Sequence, residues 1–179
     1  MAEFLWIFWS FSLLGWGLER LFAAVTRSPQ RRRRCLLLLP LCPVYGLGMA
    51  AVLALPPSLR SGWPLYLWGG LTATSVEYTT HWWGETFLSV SFWDYTGVFG
   101  NLRGRVCLPF SLAWGLLLFP AVYLVTPPVL ALADRVPVGV TWWLLLAFTA
   151  DAVCSLRFLA VTHDLEALRA AVWPVSGDR

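Results

Sequence analysis

The sequence predicts an all-α polytopic membrane protein: a helix bundle of five spans, with a re-entrant or interfacial segment between helices three and four. Three observations predict it. Of the 179 residues 58% are hydrophobic and only 13% charged, against about 25% charged in a soluble domain. Five apolar stretches approach the ~20 residues that a spanning helix needs. Arginine is distributed unevenly between alternate connections, as membrane orientation requires.

The first predicted span is Phe4–Val25, broken late by Glu19 and Arg20. It lacks a basic leader and a small-residue cleavage site, so it is expected to be retained rather than removed as a signal peptide. The second is Cys35–Leu55, ended by Pro56 and Pro57. The third, Gly62–Trp83, carries Glu77 and His81. The fourth is Val106–Val125, with Pro127 and Pro128 as its stop, and the fifth is Val138–Leu159, carrying Asp151 and Arg157. Proline stops helices because it lacks the amide hydrogen and disfavours helix at the preceding residue. Phe87–Phe99 is too short to cross and contains Asp94 and Gly97; it is expected to fold back where protein or water satisfies its backbone.

Arg27, Arg31 to Arg34, Arg103, Arg105, Arg169 and Arg179 fall on one side of a five-span chain, and Arg60 and Arg135 on the other. This places the amino terminus outside and the carboxy terminus in the cytoplasm of a bacterial cell (inner) membrane. Residues 1–160 then form one membrane domain, and residues 161–179 a cytoplasmic amphipathic tail. In the tail Leu165, Leu168 and Val172 recur at helical spacing before Pro174, a pattern for a helix on the membrane surface. The four-arginine tract suits orientation or contact with anionic lipid.

Composition also excludes functions. All thirteen basic residues are arginine. Without lysine there is no phosphate-loop motif, so this chain is not itself an ATPase. The basic surplus reads as orientation, not nucleic-acid binding. Cys35, Cys42, Cys107 and Cys154 lack metal-ligand spacing, and no cofactor is implied. Cys42 and Cys107 are expected near each other and reduced. Glu77, His81 and Glu85 recur every four residues, a spacing that could present a metal, but the expectation is no metal site.

The polar residues gather at one level. Glu19 and Glu77 lie about 9 Å inside the cytoplasmic ends of their helices at 1.5 Å per residue. Cys42, Pro43 and Tyr45 fall early in helix two, which starts on the same side. Asp94, Asn101, Arg105 and Cys107 lie in the loop and at the start of helix four. Buried acids in a membrane need partners, and Arg20 and Arg105 are the cations at that level. Arg105 is expected to pair with Glu77 or Glu19, with Asp94 nearby. Gly97, Gly100 and Gly104 permit tight turns and Asn101 can satisfy loop backbone. Trp93 and Phe99 are expected at headgroup level.

Four blocks follow in order: LLGWGLER (13–20), LCPVYGLG (41–48), SVEYTTHWWGETF (75–87) and FWDYTGVFGNLRGRVCLPFSLAWG (92–115). Together they resemble the bacterial family described as Putative ABC-transporter type IV, the CmpB-like permeases, over about residues 11–118. Glu19, Cys42, Pro43, Tyr45, Gly46, Glu77, Tyr78, Trp93, Asp94, Tyr95, Asn101, Gly104, Arg105, Cys107, Trp114 and Gly115 fall on the family pattern, whereas His81 stands where a small residue is expected. The resemblance implies a permease-like transporter subunit with a polar Glu/Asp/Arg site near the cytoplasmic face. It implies partners too: the lipid bilayer, a separate ATPase or membrane subunit, and a possible homodimer. The residues leave two alternatives open. One is an intramembrane enzyme on a lipid or polyprenyl substrate, with Asp94 or Glu77 as acid/base and Arg105 and the Arg27–Arg34 loop on the anionic headgroup. The other is a structural membrane module.

Overall fold

The computed structural model describes residues 1–26 and 35–170; Arg27, the arginine tract 31–34 and the tail beyond 170, with Val172, Pro174 and Arg179, lie outside them. Among the described residues the regular elements are helical. Helix α1 is Ala2–Thr26. It contains no proline. Its buried residues Ile7, Phe8, Phe11, Ser12 and Gly15 fall on one stripe at three- to four-residue intervals, and Trp9 is buried beside it. Further along, Leu13, Leu14, Leu18 and Leu21 are exposed.

The second predicted span is helical only in its later half. Residues 35–42 are irregular, and α2 is Pro43–Leu53. Two prolines explain the difference: Pro40 and Pro43 push Leu39 and Cys42 out of helical conformation, and Pro43 then occupies the first helical turn, where no amide is missed. Cys42, at φ −117° and ψ 91°, caps α2 in extended conformation. The irregular backbone is held by protein. Leu38 and Leu39 amides donate to the two carboxylate oxygens of Asp151 at 3.2 and 3.0 Å. The Cys42 amide donates to the Ser12 carbonyl at 2.9 Å.

Helix α3 runs without a break over 62–88: Gly62–Pro64, a π turn at Leu65–Gly69, the α-helix Gly70–Trp83 and a second π turn at Gly84–Leu88. Ser89, at φ 56°, ends it in left-handed conformation. Residues 89–107 form an irregular loop whose turns use Gly97, Gly100 and Gly104 at φ 83°, 64° and 69°, a region where a side chain is strained.

Helix α4, Leu108–Arg135, passes through the proline pair expected to stop it at Val125. The π turn Ala121–Val125 supplies the extra residue, and Pro127 and Pro128 then sit in the first turn of the segment Thr126–Arg135, where proline costs little. The Thr126 hydroxyl donates to the Ala121 carbonyl at 2.8 Å. Helix α5 is Val138–Thr162 and α6 is Leu165–Ala170. Asp164 caps α6 by accepting the Glu166 and Ala167 amides at 2.7 and 3.1 Å. Leu165 and Leu168 of α6 are buried in the protein's own core.

Among the described residues two helices are long and apolar enough by themselves to cross a membrane: α4, whose 18-residue window has a mean hydropathy of 2.0, and α5, whose window has 1.8. Their apolar surface points outward, with Leu116, Leu124, Trp143 and Leu146 all more than half exposed. In α1 and α3, Trp, Gly, Ser, Thr and Glu dilute the apolar signal.

Helix α1 packs on α2, on the last part of α4 and on α5; α2 packs on α3, and α3 on α4. Small residues permit the close approaches. A Cβ on Gly70 would meet the Cα of Gly115 at 3.2 Å, and one on Gly46 would strike the Phe8 carbonyl and the Ser12 hydroxyl. Gly17 has open space around it. We therefore expect Gly46→Ala to destabilise the fold by about 1–3 kcal/mol through overpacking. Gly17→Ala should leave stability unchanged or slightly raised. Thermal unfolding of the purified variants measures both.

Candidate functional site

The site lies where α1, α2, α3, α4 and the 89–107 loop meet, and Glu77 is at its centre. Glu77 projects from the middle of α3 and is 2% exposed. Its carboxylate accepts the Tyr95 hydroxyl at 3.0 Å and the Trp114 indole N–H at 2.7 Å. One acid thus ties α3 to the loop and to α4. Tyr and Trp suit this task, because each brings a donor on an otherwise apolar ring.

Glu19, on α1, accepts the hydroxyl of Tyr45 on α2. The Tyr45 ring stands edge-to-face on Trp114, with centroids 5.5 Å apart. The two acids are therefore linked through an aromatic pair. Arg20, next to Glu19, lays its guanidinium over the Trp16 ring at 4.9 Å.

Arg105 does not pair with Glu77 or Glu19 as the sequence suggested. Its Nε donates to Glu85 at 2.7 Å and its Nη1 to the Tyr78 hydroxyl at 2.8 Å, with the guanidinium over the Tyr78 ring at 5.1 Å. Helical phase explains the correction. Glu85 and Tyr78 are seven residues apart and nearly in line on α3, whereas Glu77 is turned about 100° from Tyr78. Glu85 also meets His81 Nε2 at 3.1 Å, and Ser91 Oγ lies 3.3 Å from the same nitrogen. His81 is 1% exposed, packed against Trp93 and Phe92, and its Nδ1 is buried without a hydrogen-bond partner. Among the described residues no group of three or more acid, His or Cys side chains is arranged to hold a metal.

The loop braces itself. Asp94 Oδ1 accepts the Thr96 amide at 2.8 Å. Asn101 accepts the Gly104 amide at 3.2 Å and donates to the Val98 carbonyl at 2.9 Å. Trp93 is not at a surface: it is 8% exposed and donates to the Arg105 carbonyl at 2.6 Å. The loop folds inward here, so the indole joins the protein core. Phe99 is 77% exposed. Cys42 and Cys107 belong to the same buried cluster as Trp93 and Tyr95.

Two cavities flank the Tyr45–Trp114 pair. One, of about 670 Å³, is lined by α1, α2, α3 and α4 and has Glu77 in its wall. The other, of about 460 Å³, is lined by Glu19, Asp94 and several aromatic rings. Both fall within the ~300–1,000 Å³ range of small-molecule sites. Sequence reading identified the acids but not their aromatic donors, nor the roles of Glu85 and Tyr78. The available signal was that Tyr45, Tyr95 and Trp114 stand in the same sequence blocks as the acids.

Comparison with known proteins adds one finding. The family profile described as Putative ABC-transporter type IV matches residues 6–156. No curated protein and no solved structure matches the chain.

Two predictions concern this network. Tyr95→Phe removes one donor from a buried carboxylate and should cost about 1–3 kcal/mol. In the Glu77→Gln background the same change should cost less, since the two groups are coupled; unfolding of the single and double variants checks this. Asp94 titrates below the ordinary carboxyl value of 3.8, because the Thr96 hydroxyl and amide stabilise its charge. Its contribution to loop stability is therefore complete above that ordinary value and is lost as pH falls through the lowered one. Thr96 amide protection, corrected for intrinsic exchange, should fall across that window. It should be lower and flat in Asp94→Asn.

Proposed function

Because the chain belongs to the Putative ABC-transporter type IV family over residues 6–156, we propose that it is a permease-like membrane subunit of a transporter. It acts in the bacterial cell membrane and works with a separately encoded ATPase or a second membrane subunit. The absence of lysine supports the need for a partner, since the chain has no phosphate-loop lysine. The family match is the observation that carries the transport reading.

The membrane reading is supported by polarity arranged inside out. Buried positions include Ser12, Glu77, His81, Thr126, Thr141 and Ser155, whereas leucine and tryptophan cover the outer faces of α4 and α5. The proposed topology has five passages. Helices α1, α3 and α5 run from outside to inside, and α2 with its irregular lead and α4 return. The 89–107 loop and α6 then share the cytoplasmic end, consistent with the contact at 2.6 Å between His163 Nδ1 and the Leu88 carbonyl. The amino terminus is outside. Residues 86–100 re-enter at the cytoplasmic interface, where Phe99 and Phe87 meet lipid.

In this reading Glu19, Glu77 and Asp94 line the binding region from both sides of the Tyr45–Trp114 pair. Arg105 positions the loop, by clamping it to Glu85 and Tyr78 of α3. The enzyme alternative assigns an anionic headgroup to Arg105 and the Arg27–Arg34 loop; Arg105 directs its guanidinium to Glu85 and Tyr78, and residues 27–34 lie outside the described residues.

The test is isolation of a tagged chain from its native membrane in mild detergent. Carbonate-washed membranes should retain the protein, and an ATPase or another membrane subunit should co-purify in a fixed ratio. Recovery of a lone protomer, or its extraction by carbonate, contradicts the proposal. Reporter fusions after residue 170 should be active only in the cytoplasm.

A further inference from the structure

We propose that the larger cavity, of about 670 Å³, binds one acyl chain of an anionic phospholipid from the cytoplasmic leaflet, with Arg20 on the lipid phosphate. This deepens the reading above and rests on its membrane placement, not on an ATPase partner. The cavity is long, apolar and open on one side. Its lining follows α1 from Phe11 to Leu21 and α4 from Trp114 to Val125, about 15 Å at 1.5 Å per residue. That is the depth of one leaflet, half of a hydrocarbon core of ~30 Å. In the placement above, Leu21 and Trp114 are the ends nearer the cytoplasm. Met49 and Leu118, both buried, close the inner wall. The Glu77 carboxylate in that wall is already engaged by Tyr95 and Trp114, so a hydrocarbon chain beside it strips no oxygen of its donors.

Two features separate this site from ordinary contact with lipid. The first is depth. Leu14, Gly17 and Leu21 of α1 and Leu117 of α4 form the mouth, each exposed and each on the lining. Gly48 on α2 also lines the cavity but is buried, and a Cβ built there would meet nothing within 4 Å. The space therefore reaches in behind the lipid-facing residues, and a tail dissolved in the membrane can enter it sideways. The second feature is charge. Moving a tail from lipid to protein gains little by the hydrophobic effect, since both surroundings are apolar, so selection falls to the headgroup. Arg20 stands one turn beyond Trp16, a lining residue, and its guanidinium lies over the Trp16 ring at 4.9 Å. The ring takes the flat face of the cation and leaves its N–H edges for a phosphate. Arg20 lies six residues before the end of α1 at Thr26, about 9 Å, which its long side chain can span to the headgroup level. Neighbouring Glu19 is turned about 100° from it and accepts the Tyr45 hydroxyl, so the acid and the base face different partners.

The experiment uses the full chain in phosphatidylcholine nanodiscs that contain a phospholipid with a diazirine on one acyl chain. The probe is phosphatidylglycerol in one series and phosphatidylcholine in the other, and labelled peptides are mapped after illumination. Surrounding tails should label the outer face of α5, where Leu146 and Val153 are exposed, in proportion to the probe and in every variant. The phosphatidylglycerol probe should also label α2 around Gly48, and this labelling should saturate. Relative to α5, it should exceed that of the phosphatidylcholine probe about tenfold, the worth of one charge-assisted hydrogen bond. Arg20→Gln should remove that preference. Gly48→Leu, and Ala73→Leu on the α3 wall, should each abolish α2 labelling and spare α5; thermal melts identify any variant that fails to fold. Label on α5 with none on α2 overturns this site alone. So does equal labelling of α2 by the two probes, unchanged α2 labelling in the folded Gly48→Leu and Ala73→Leu variants, or unchanged preference in folded Arg20→Gln. An unlabelled α2 in a dimer that Gly48→Leu dissociates would give the groove to a second copy of the chain and overturn the lipid site. Absence of label on α5 as well overturns the membrane placement, and this site with it.

Discussion

The Glu77 carboxylate is the constraint on which the rest of the arrangement depends. A buried charge is tolerated only when its oxygens are satisfied, and here the donors come from two other elements, Tyr95 in the loop and Trp114 on α4. Those two bonds fix how deeply the loop is drawn in and how α4 is rotated against α3. With α4 so rotated, the Trp114 ring meets Tyr45, and Tyr45 reaches Glu19 on α1. Four helices and a loop thus acquire their register from aromatic side chains that bring polar tips into an apolar interior. Tyr95 and Trp114 thus meet Glu77 where Arg105 was expected.

The same close packing leaves room where it is not needed. At Gly46 and Gly15 on the α1–α2 face, and at Gly70 against Gly115 on the α3–α4 face, backbone and ring fill the space that a Cβ would take. These contacts pull the helices together in pairs. Buried Gly48 has no such neighbour, and a gap persists there as a chamber. The chamber is therefore a product of where tight glycine contacts stop, and Glu77 lies in its wall because the same carboxylate bridges α3 and α4.

Much of the fold was legible in the sequence because apolar length is a strong signal. Helices α1, α3 and α5 fall on predicted spans, and the loop between α3 and α4 was marked by Asp94, its glycines and Asn101. The misjudged helix bounds have one source: prolines judged by number instead of by position. Pro40 and Pro43 stood singly inside an apolar run and were not read as breaks, yet they remove the first half of helix two. Pro127 and Pro128 were a pair and were read as a stop, yet a preceding π turn lets them sit at the start of a new helical turn. The acids of the site were legible; the pairing was not, since shared depth was used without rotational phase. Arg105 could reach the α3 level of both Glu77 and Glu85, and only the turn of the helix decides that Glu85 and Tyr78 face it. Trp93 was misplaced for a related reason. Aromatics favour interfaces on average, but an indole with a carbonyl acceptor at hand, that of Arg105, can be buried.

In the proposed membrane placement, the irregular stretch 35–42 is what lets a helix as short as α2 take part. Helix α2 has 11 residues, about 16 Å at 1.5 Å per residue, half of a hydrocarbon core of ~30 Å. The remaining depth would have to be crossed by backbone outside a helix, which lipid does not permit unless protein satisfies its polar groups. Asp151 meets that requirement. It takes the Leu38 and Leu39 amides on its two oxygens and receives the Ser155 hydroxyl at 3.0 Å. The Ser12 carbonyl takes the Cys42 amide. Cys35, Leu37 and Cys42 are buried along this path. An acid in the middle of an otherwise apolar α5 thus has a structural purpose unrelated to any ligand: it replaces the hydrogen bonds that Pro40 and Pro43 denied to the chain. A carboxylate in a span is accordingly read from what its oxygens touch. Asp151 touches backbone amides and completes the fold; Glu77 touches side-chain donors on two neighbours and borders empty space.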